Sequence, residues 1–241
     1  MKVPEQIPAI ILAGGKGTRL RSVVADRPKV LAPVYGRPYI FHLLDQLKRA
    51  GVAQVILSTG YMADMVENVV GYGYENISIT YSRESEALGT GGGIRLASLK
   101  TTAPTILALN GDSYCGVDLR AYFNWFFGRE RSASMLLTEV ENCDRFGQVK
   151  IDAEERVTSF VEKGAGSGSA LINAGIYLLR RDVLERIPAG GFVSIENDVF
   201  PGLLGYGVFG YVVKAPFLDI GTPESFRSAE FFFKQQQEMY T

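Results

Sequence analysis

A glycine-rich stretch near the start of the chain has the residue types with the most evident chemistry. Residues 12–20 read Leu-Ala-Gly-Gly-Lys-Gly-Thr-Arg-Leu, directly after an apolar run that predicts a buried strand. Glycines let the backbone approach a bulky anion and offer its N–H groups to it. Lys16 and Arg19 add positive charge, as does the Arg-Pro-Lys at 27–29, and arginine can grip a phosphate with two hydrogen bonds. The stretch therefore predicts a polyphosphate site, with an ordinary glycine turn as the alternative.

Two better-known glycine loops are excluded by spacing. A P-loop needs a glycine followed, after four residues, by Gly-Lys-Ser/Thr, and that spacing is absent. A dinucleotide fingerprint needs a third glycine where Leu20 stands. It also needs an acidic residue closing the second strand, where the chain has Ser58 and Thr59. A dehydrogenase is therefore disfavoured.

Two aspartates follow apolar segments in opposite halves of the chain. Asp112 ends the sequence Asn-Gly-Asp after the apolar run 105–109, and Asp219 precedes the last predicted helix. Each could be a turn or capping residue, but Thr222 before a proline is the better cap, which leaves Asp219 free. Carboxylates at strand ends can hold Mg²⁺ against phosphate oxygens. The sequence therefore predicts Asp112 and Asp219 as magnesium ligands.

Short apolar runs alternate with amphipathic stretches in the first half of the chain. Strands are predicted at 9–12, 54–59, 77–82, 105–109, 133–140, 148–151, 157–162, 170–179 and 208–214. Helices are predicted at 39–50, 63–70, 91–99, 181–187, 196–203 and 223–237. This alternation predicts an α/β fold with a parallel sheet between two layers of helices. No linker or repeat divides the chain, so we expect one domain.

Composition limits the classes of function. The 241 residues carry a net charge of −1, which disfavours a general binder of nucleic acid or of anionic membranes. The two cysteines suggest neither a zinc site nor a disulfide framework, and no apolar run is long enough to span a membrane. With no leader peptide evident, we expect a cytoplasmic protein. The only histidine, His42, lies within a predicted amphipathic helix, where a structural role is expected.

Seven motifs occur in an order that is specific as a set. They are the glycine stretch at 12–20, Pro28-Lys29, Leu88-Gly89-Thr90-Gly91-Gly92, Asn110-Gly111-Asp112, Glu162-Lys163, Asn173-Ala174-Gly175 and Asp219-Ile220-Gly221-Thr222-Pro223. Together they resemble the sugar-1-phosphate nucleotidyltransferases, over nearly the whole chain. The resemblance implies a Rossmann-like, mixed but mostly parallel sheet flanked by helices. It also implies one nucleotidyltransferase domain over 1–241, whose N-terminal half binds nucleotide and whose C-terminal half binds sugar phosphate.

The implied reaction joins a nucleoside triphosphate to a sugar 1-phosphate and releases pyrophosphate, with Mg²⁺. The resemblance implies nucleotide contacts from Leu12, Ala13, Gly14, Gly15, Gly17, Thr18, Arg19, Glu84, Gly89, Thr90 and Gly111. Arg19 would hold the β- and γ-phosphates, and Lys29 would bridge the α-phosphate and the departing pyrophosphate. Asp112 and Asp219 would bind the metal. On the sugar side, the implied residues are Gly147, Glu162, Lys163 and Asn173.

The residue at position 84 favours guanine. Guanine presents two adjacent donors that one carboxylate can accept, whereas uracil or thymine presents a donor and an acceptor, which suit a glutamine amide. The resemblance implies that the segment 81–84, before the Leu-Gly-Thr-Gly-Gly motif, wraps the nucleobase, so Glu84 favours GTP. A solvent-facing Glu84 or Glu86, with the base read by backbone groups, is the alternative. The segments 144–147, 159–163 and 171–179 resemble those of bacterial D-glycero-α-D-manno-heptose 1-phosphate guanylyltransferases, which supply GDP-heptose for surface glycans.

Several alternatives stay open. Mannose-1-phosphate guanylyltransferases and N-acetylmuramate-1-phosphate uridylyltransferases share much of the pattern, and a non-catalytic nucleotide-sugar sensor is a further alternative. The family's proline after Glu162-Lys163 is replaced here by Gly164, which puts the rim on the sugar side in question. Aromatic clusters at 122–127 and 231–233 predict core packing, with the self-association surface of a homodimer as the alternative.

Overall fold

The computed structural model describes residues 7–161 and 168–238. The strands are β1 (Ala9–Leu12), β2 (Pro33–Val34), β3 (Arg37–Pro38), β4 (Gln54–Thr59), β5 (Gly73–Tyr74), β6 (Ile77–Arg83), β7 (Thr105–Asn110), β8 (Ser113–Cys115), β9 (Ala133–Val140), β10 (Gln148–Ile151), β11 (Val157–Val161), β12 (Ala170–Arg180), β13 (Val208–Val213) and β14 (Phe217–Asp219). The helices are α1 (Ile40–Arg49), α2 (Ala63–Val70), α3 (Gly89–Ser98), α4 (Leu119–Phe127), α5 (Arg181–Arg186), α6 (Phe200–Leu203) and α7 (Pro223–Glu238). Three short 3₁₀ turns cover Thr18–Leu20, Lys29–Leu31 and Leu204–Tyr206, and a π-helical turn covers Ile195–Val199.

The central sheet is mixed, with a parallel centre. Among the described residues, ten strands form it in the order β11-β10-β12-β7-β1-β4-β6-β5, and β9 joins β12 to β13. Strands β7, β1, β4 and β6 are parallel neighbours, whereas β12 runs antiparallel to both β7 and β9. Strands β1, β4 and β7 read as almost continuous apolar runs, as strands covered on both faces must. The predicted fold class is confirmed.

Two layers of helices cover the sheet because side chains along a strand point alternately to opposite faces. Ile11 belongs to the core that is shared with α1, α2, α4 and α7. Its neighbour Ile10 belongs to the core shared with α3, α5 and α6. Within residues 7–161 and 168–238, no helix has the combination of length and apolar character that crossing a lipid bilayer requires.

The carboxyl ends of the parallel strands meet at one edge of the sheet. Leu12 at the end of β1 is paired with Ser58 on β4 and with Asn110 on β7. The amide of Gly111 continues this alignment by donating to the Leu12 carbonyl oxygen at 3.0 Å. A side chain at position 111 would collide with that oxygen. The glycine stretch after β1 and the acidic turn after β7 therefore lie side by side.

A second, two-stranded sheet brings part of the C-terminal half of the chain to the same edge of the central sheet. Strand β14 pairs antiparallel with β8, and Asp219 stands opposite Ser113. Both strands are three residues long, too short to show an alternating pattern, and neither was predicted from the sequence. Their pairing places Asp219 next to the residue that precedes Ser113, which is Asp112.

The short helix predicted at 196–203 is present, but only its second half is α-helical. A π-helical turn precedes a four-residue helix, α6. Ser194 caps the turn: its carbonyl oxygen accepts from the Val199 amide at 3.3 Å, and its hydroxyl accepts from the Asn197 amide at 3.2 Å. Pro201 has no N–H to donate, so it is tolerated only within the first turn of the separate helix that follows.

Candidate functional site

The glycine stretch wraps one wall of a cavity of about 750 Å³ at the carboxyl edge of the sheet. Gly17 has φ +58°, a left-handed conformation that turns the chain into the Thr18–Leu20 turn. Gly14 lies against the loop after β4, where its carbonyl oxygen accepts from the Tyr61 amide at 3.2 Å. A Cβ atom at Gly15 would meet nothing within 4 Å. The loop thus presents its backbone to open space, which suits a bulky anion.

The predicted metal ligands are brought together. Asp112 accepts a hydrogen bond from Lys29 Nζ at 2.7 Å, and the Lys29 side chain is only 13% exposed. The carbonyl oxygen of Asp112 accepts from the Ile220 amide at 2.9 Å, which ties the two acidic turns together. Asp219 accepts from the backbone amide of Gly221. Burial raises the pKa of Asp219, and the nearby negative charge of Asp112 raises it further.

These residues fit a hard divalent cation. Two carboxylates, one of them desolvated and repelled by the other, form an electron-rich oxygen pair of the kind that Mg²⁺ prefers. In the described part of the chain, no group of three or more histidine, cysteine, aspartate or glutamate side chains could hold a metal. Asp112 and Asp219 would be the protein's carboxylate ligands to such a cation.

A second cavity, of about 560 Å³, adjoins the first. Thr90, Asn110 and Asp112 line both cavities. Asp219 and Arg19 line the second one, and a Cβ on Gly221 would lie 3.5 Å from Arg19 Nη2. Arg19 therefore sits on the Asp219 side rather than in the cavity around the glycine stretch. Thr18, of the residues predicted to contact nucleotide, lines neither of these two cavities.

Glu84 lines the first cavity, and its carboxylate joins β4 to the residue that precedes α3. Its Oε1 accepts from Ser58 Oγ at 2.9 Å, and its Oε2 accepts from the Leu88 amide at 3.2 Å. A Cβ on Gly14 would lie 3.0 Å from Oε1, so the carboxylate faces the glycine stretch. Each oxygen retains a lone pair, because a carboxylate has about four acceptor sites.

The start of α3 is completed by a segment from the C-terminal half. Gly89 has φ +72°, and a Cβ there would lie 2.5 Å from the Val193 carbonyl oxygen. That oxygen accepts from the Gly91 amide at 2.8 Å and from the Gly92 amide at 3.2 Å, while the Val193 amide donates to Leu88 at 2.8 Å. The loop of the Leu-Gly-Thr-Gly-Gly motif therefore has its shape only with Val193 in place.

On the sugar side, the predicted residues Gly147 and Asn173 both line the second cavity. Asn173 is held by its own surroundings: Nδ2 donates to the Tyr177 hydroxyl at 2.8 Å, and Oδ1 accepts from the Gly175 amide at 2.9 Å. Glu162 and Lys163 lie outside the described residues, so their roles stay predictions. No sequence pattern indicated Glu196, which lines this cavity and accepts from Thr90 Oγ1 at 2.7 Å. The two residues are 106 positions apart, a contact that no local pattern could have indicated.

Comparison with known proteins agrees with this geometry. The family model described as nucleotidyl transferase matches residues 8–236. A mannose-1-phosphate guanylyltransferase of Mycobacterium tuberculosis is 39% identical over 225 residues, which cover 92% of this chain and 63% of that protein. A D-glycero-α-D-manno-heptose 1-phosphate guanylyltransferase of Aneurinibacillus thermoaerophilus is also 39% identical, over 92% of this chain and 96% of that protein. The chain thus spans less than two thirds of the first relative and nearly all of the second.

A solved structure supports the same assignment. HddC from Yersinia pseudotuberculosis superposes with a TM-score of 0.84 at 34% identity, over 95% of this chain and all of that one. A second crystal structure of HddC, complexed with GMP-PN, has a TM-score of 0.82. The resemblance drawn from the seven motifs is confirmed. With its fold, its paired aspartates and a family match over nearly its whole length, the chain belongs to the nucleotidyl transferase family.

Proposed function

We propose that this protein transfers the guanylyl group of GTP to D-glycero-α-D-manno-heptose 1-phosphate, which yields GDP-heptose and pyrophosphate. The observation that carries the proposal is the placement of Asp112, Asp219 and Lys29 where two adjoining cavities share a wall. In this proposal one domain does the work: the cavity of the glycine stretch takes GTP, and the cavity around Asn173 takes the sugar phosphate. Relatives named as heptose 1-phosphate guanylyltransferases support the choice of substrates.

The proposed reaction requires little covalent chemistry from the protein. A phosphate oxygen of the sugar 1-phosphate attacks the α-phosphorus of GTP, the bond to the β-phosphate oxygen breaks, and pyrophosphate leaves with its electron pair. Because the nucleophile is already an anion, no general base is needed, and catalysis rests on alignment and charge neutralisation. Lys29, fixed by Asp112 at 2.7 Å, supplies a nearly buried positive charge at the meeting point of the substrates.

Asp112 and Asp219 would hold Mg²⁺ here. When bound, the ion neutralises phosphate charge that the two anionic substrates would otherwise bring together. We also propose that Glu84 reads guanine through its remaining lone pairs, and that the protein works in the cytoplasm and supplies surface polysaccharide synthesis. Self-association through the exposed aromatic Phe231, which is 64% accessible, stays a prediction.

The test is a matrix of substrates. The protein is incubated with Mg²⁺, each nucleoside triphosphate and a panel of sugar 1-phosphates, and pyrophosphate release is measured. We expect the highest kcat/KM with GTP and the manno-heptose. The 39% identical relative named for mannose 1-phosphate favours that sugar as the second candidate. Release only with UTP and N-acetylmuramate 1-phosphate would contradict the proposal, and no release with any pair would favour a nucleotide-sugar sensor.

The role of Glu84 has its own test. In Glu84→Gln, the amide can still accept from Leu88 and can donate to Ser58 Oγ, so the loop is expected to keep its shape. The change removes one acceptor for the paired donors of guanine. We therefore expect kcat/KM for GTP to fall about 10- to 100-fold and the value for UTP or dTTP to rise. An unchanged preference for GTP would assign base recognition to other groups.

A further inference from the structure

Glu196 lies near the boundary between the two cavities. It lies on the π-helical turn Ile195–Val199, in the wall of the second cavity, and contacts Thr90, which lines both cavities. π-Helical turns are rare in proteins, and those that occur are often found at functional sites. From this turn, Glu196 contacts Thr90 in the first turn of α3.

Three hydroxyl groups hold the Glu196 carboxylate. Its Oε1 accepts from the Tyr177 hydroxyl at 3.0 Å. Its Oε2 accepts from Thr90 Oγ1 at 2.7 Å and from Ser194 Oγ at 3.0 Å. Each hydroxyl group can donate one hydrogen bond. Each also accepts a hydrogen bond from another group, which fixes the direction of its own proton. Asn173 Nδ2 donates to Tyr177, while the amides of residues 195 and 197 donate to Thr90 and Ser194 respectively.

Among the residues that the structure describes, this arrangement leaves one acceptor site of the Glu196 carboxylate unused. A carboxylate has about four lone-pair sites, and three are taken by protein hydroxyls, so the fourth lies on Oε1. The side chain is half-buried and borders the 560 Å³ cavity, which also presents Gln148 and Asn197. A fixed, partly desolvated carboxylate with one free lone pair is a strong and selective acceptor for a single hydroxyl.

We propose that Glu196 accepts a hydrogen bond from one ring or side-chain hydroxyl of the sugar 1-phosphate, and so contributes to the choice of sugar. This inference rests on the proposed function and deepens it. The alternative is a purely structural clamp that fastens α3 to β12 through Thr90 and Tyr177. The two possibilities predict effects on different substrates. If Glu196 is only a structural clamp, loosening it would disturb the nucleotide cavity through Thr90. If Glu196 accepts a hydrogen bond from the sugar, losing that bond would leave the nucleotide cavity unchanged.

The test compares Glu196→Gln with the wild-type protein, and uses Glu185→Gln on the exposed surface of α5 as the matched control. We expect KM for the sugar 1-phosphate to rise about 10- to 100-fold in Glu196→Gln, as for one hydrogen bond to a charged group. KM for GTP should stay within about twofold of the wild type, and Glu185→Gln should change neither. An equal rise in both KM values, or in neither, would overturn the proposal.

Deoxy sugars identify the hydroxyl. Within a series of mono-deoxy sugar 1-phosphates, one member should lose the same factor in kcat/KM with the wild type and lose nothing further with Glu196→Gln. Independent losses for every member would overturn the proposal. Glu196→Asp, which withdraws the carboxylate by one methylene, serves as the second variant, and failure of both variants to fold would assign Glu196 to the fold alone. A wild-type protein without any turnover would instead contradict the proposed function.

Discussion

Asp219 carries a negative charge that the folded state disfavours. Burial and the charge of Asp112 both raise its pKa, so the ionised form costs free energy in the protein without its ligands. Asp219→Asn removes this charge while it retains the size of the side chain. We expect turnover to fall at least 100-fold and the melting temperature to rise, as is common when a strained functional group is neutralised. Steady-state kinetics and thermal unfolding measure the two effects.

The control for this prediction is Asp182→Asn, which neutralises an exposed aspartate in the first turn of α5. We expect turnover to stay the same, because that side chain lies away from both cavities. The melting temperature should stay the same or fall slightly, since a negative charge near a helix N-terminus is mildly stabilising. Retained turnover in Asp219→Asn would remove Asp219 as a metal ligand.

The burial of His42 leads us to expect that the folded protein loses stability as the pH falls. Its Nε2 donates to the Val34 carbonyl at 3.0 Å, and its ring stacks on Phe233 with centroids 3.8 Å apart. Burial lowers the pKa of His42 to about 4. Below about pH 6.5 the unfolded chain binds a proton that the folded chain refuses, so stability falls as the pH drops toward 4.

The size of this effect follows from the pKa difference. Between pH 7.5 and 5.5, the free energy of unfolding should fall by about 1.4 kcal/mol through His42 alone. Urea unfolding at the two pH values measures it. His42→Gln cannot titrate, so it should lose about that much less over the same interval, whatever its stability at pH 7.5. Equal losses in both proteins would contradict the burial of a neutral histidine.

Local sequence patterns placed the candidate site residues at strand ends, and the structure has them there. Asp112 and the glycine stretch follow apolar runs, and topology then brings the ends of those strands together. Thr222 caps α7 as expected, since its Oγ1 accepts from the Ser225 amide at 3.3 Å. Glu196 escaped notice because its partners Thr90 and Tyr177 lie far away in sequence. An isolated glutamate is unremarkable until the fold surrounds it with hydroxyls.

At the scale of elements, the conformation at the start of α3 depends on having glycine at position 89. At Gly89 a Cβ would be strained by φ +72° and would also press on the Val193 carbonyl. We expect Gly89→Ala to lower the free energy of unfolding by about 2 kcal/mol or more and to raise KM for the nucleotide. Denaturant unfolding and steady-state kinetics check both effects.

A matched glycine separates strain from a general effect of the substitution. Gly202 lies in α6, where a Cβ would meet nothing within 4 Å. Gly202→Ala should therefore be neutral or stabilise the protein by up to about 1 kcal/mol, with unchanged kinetics. Similar destabilisation by both changes would show that the contact with Val193 does not matter.

Elements with a long or regular pattern were predicted closely. The bounds of β1, β4, β9, β10 and α2 agree with the expectation, and α1 differs by one residue at each end. The errors lie where the pattern is short or competing groups decide. Strands β8 and β14 have three residues each, and the short helix predicted at 196–203 begins with a π-helical turn that no sequence pattern indicated.

At the scale of the whole molecule, the two cavities share a wall, so a ligand that fills both should tie the halves together. At equal concentration, we expect GDP-mannose or GDP-heptose to raise the melting temperature more than GDP does. A ligand at about 100 times its Kd stabilises by about 2.7 kcal/mol, which for a chain of this size is about 5–10 °C. Differential scanning fluorimetry measures the shifts. Equal shifts for GDP and the GDP-sugars would contradict a sugar site in the second cavity.

The overall topology was only partly accessible from the sequence. Apolar runs and helical spacing indicated the parallel centre formed by β7, β1, β4 and β6. They could not show that β12 enters antiparallel beside β7, because strand direction leaves no trace in the alternation of side chains. The resemblance to a family supplied the mixed sheet that the pattern alone did not.

The backbone bonds between Val193 and the residues that open α3 have one more consequence. They join stretches that lie about a hundred residues apart in the sequence, so the cavity proposed to take GTP is completed only once most of the polypeptide has been synthesised. A chain severed between α4 and β9 would keep every glycine of the opening turn on its first piece and still lack a finished nucleotide pocket. Under the proposed function, recognition of the nucleotide would thus require both halves of the chain, and a truncated N-terminal piece would not bind it.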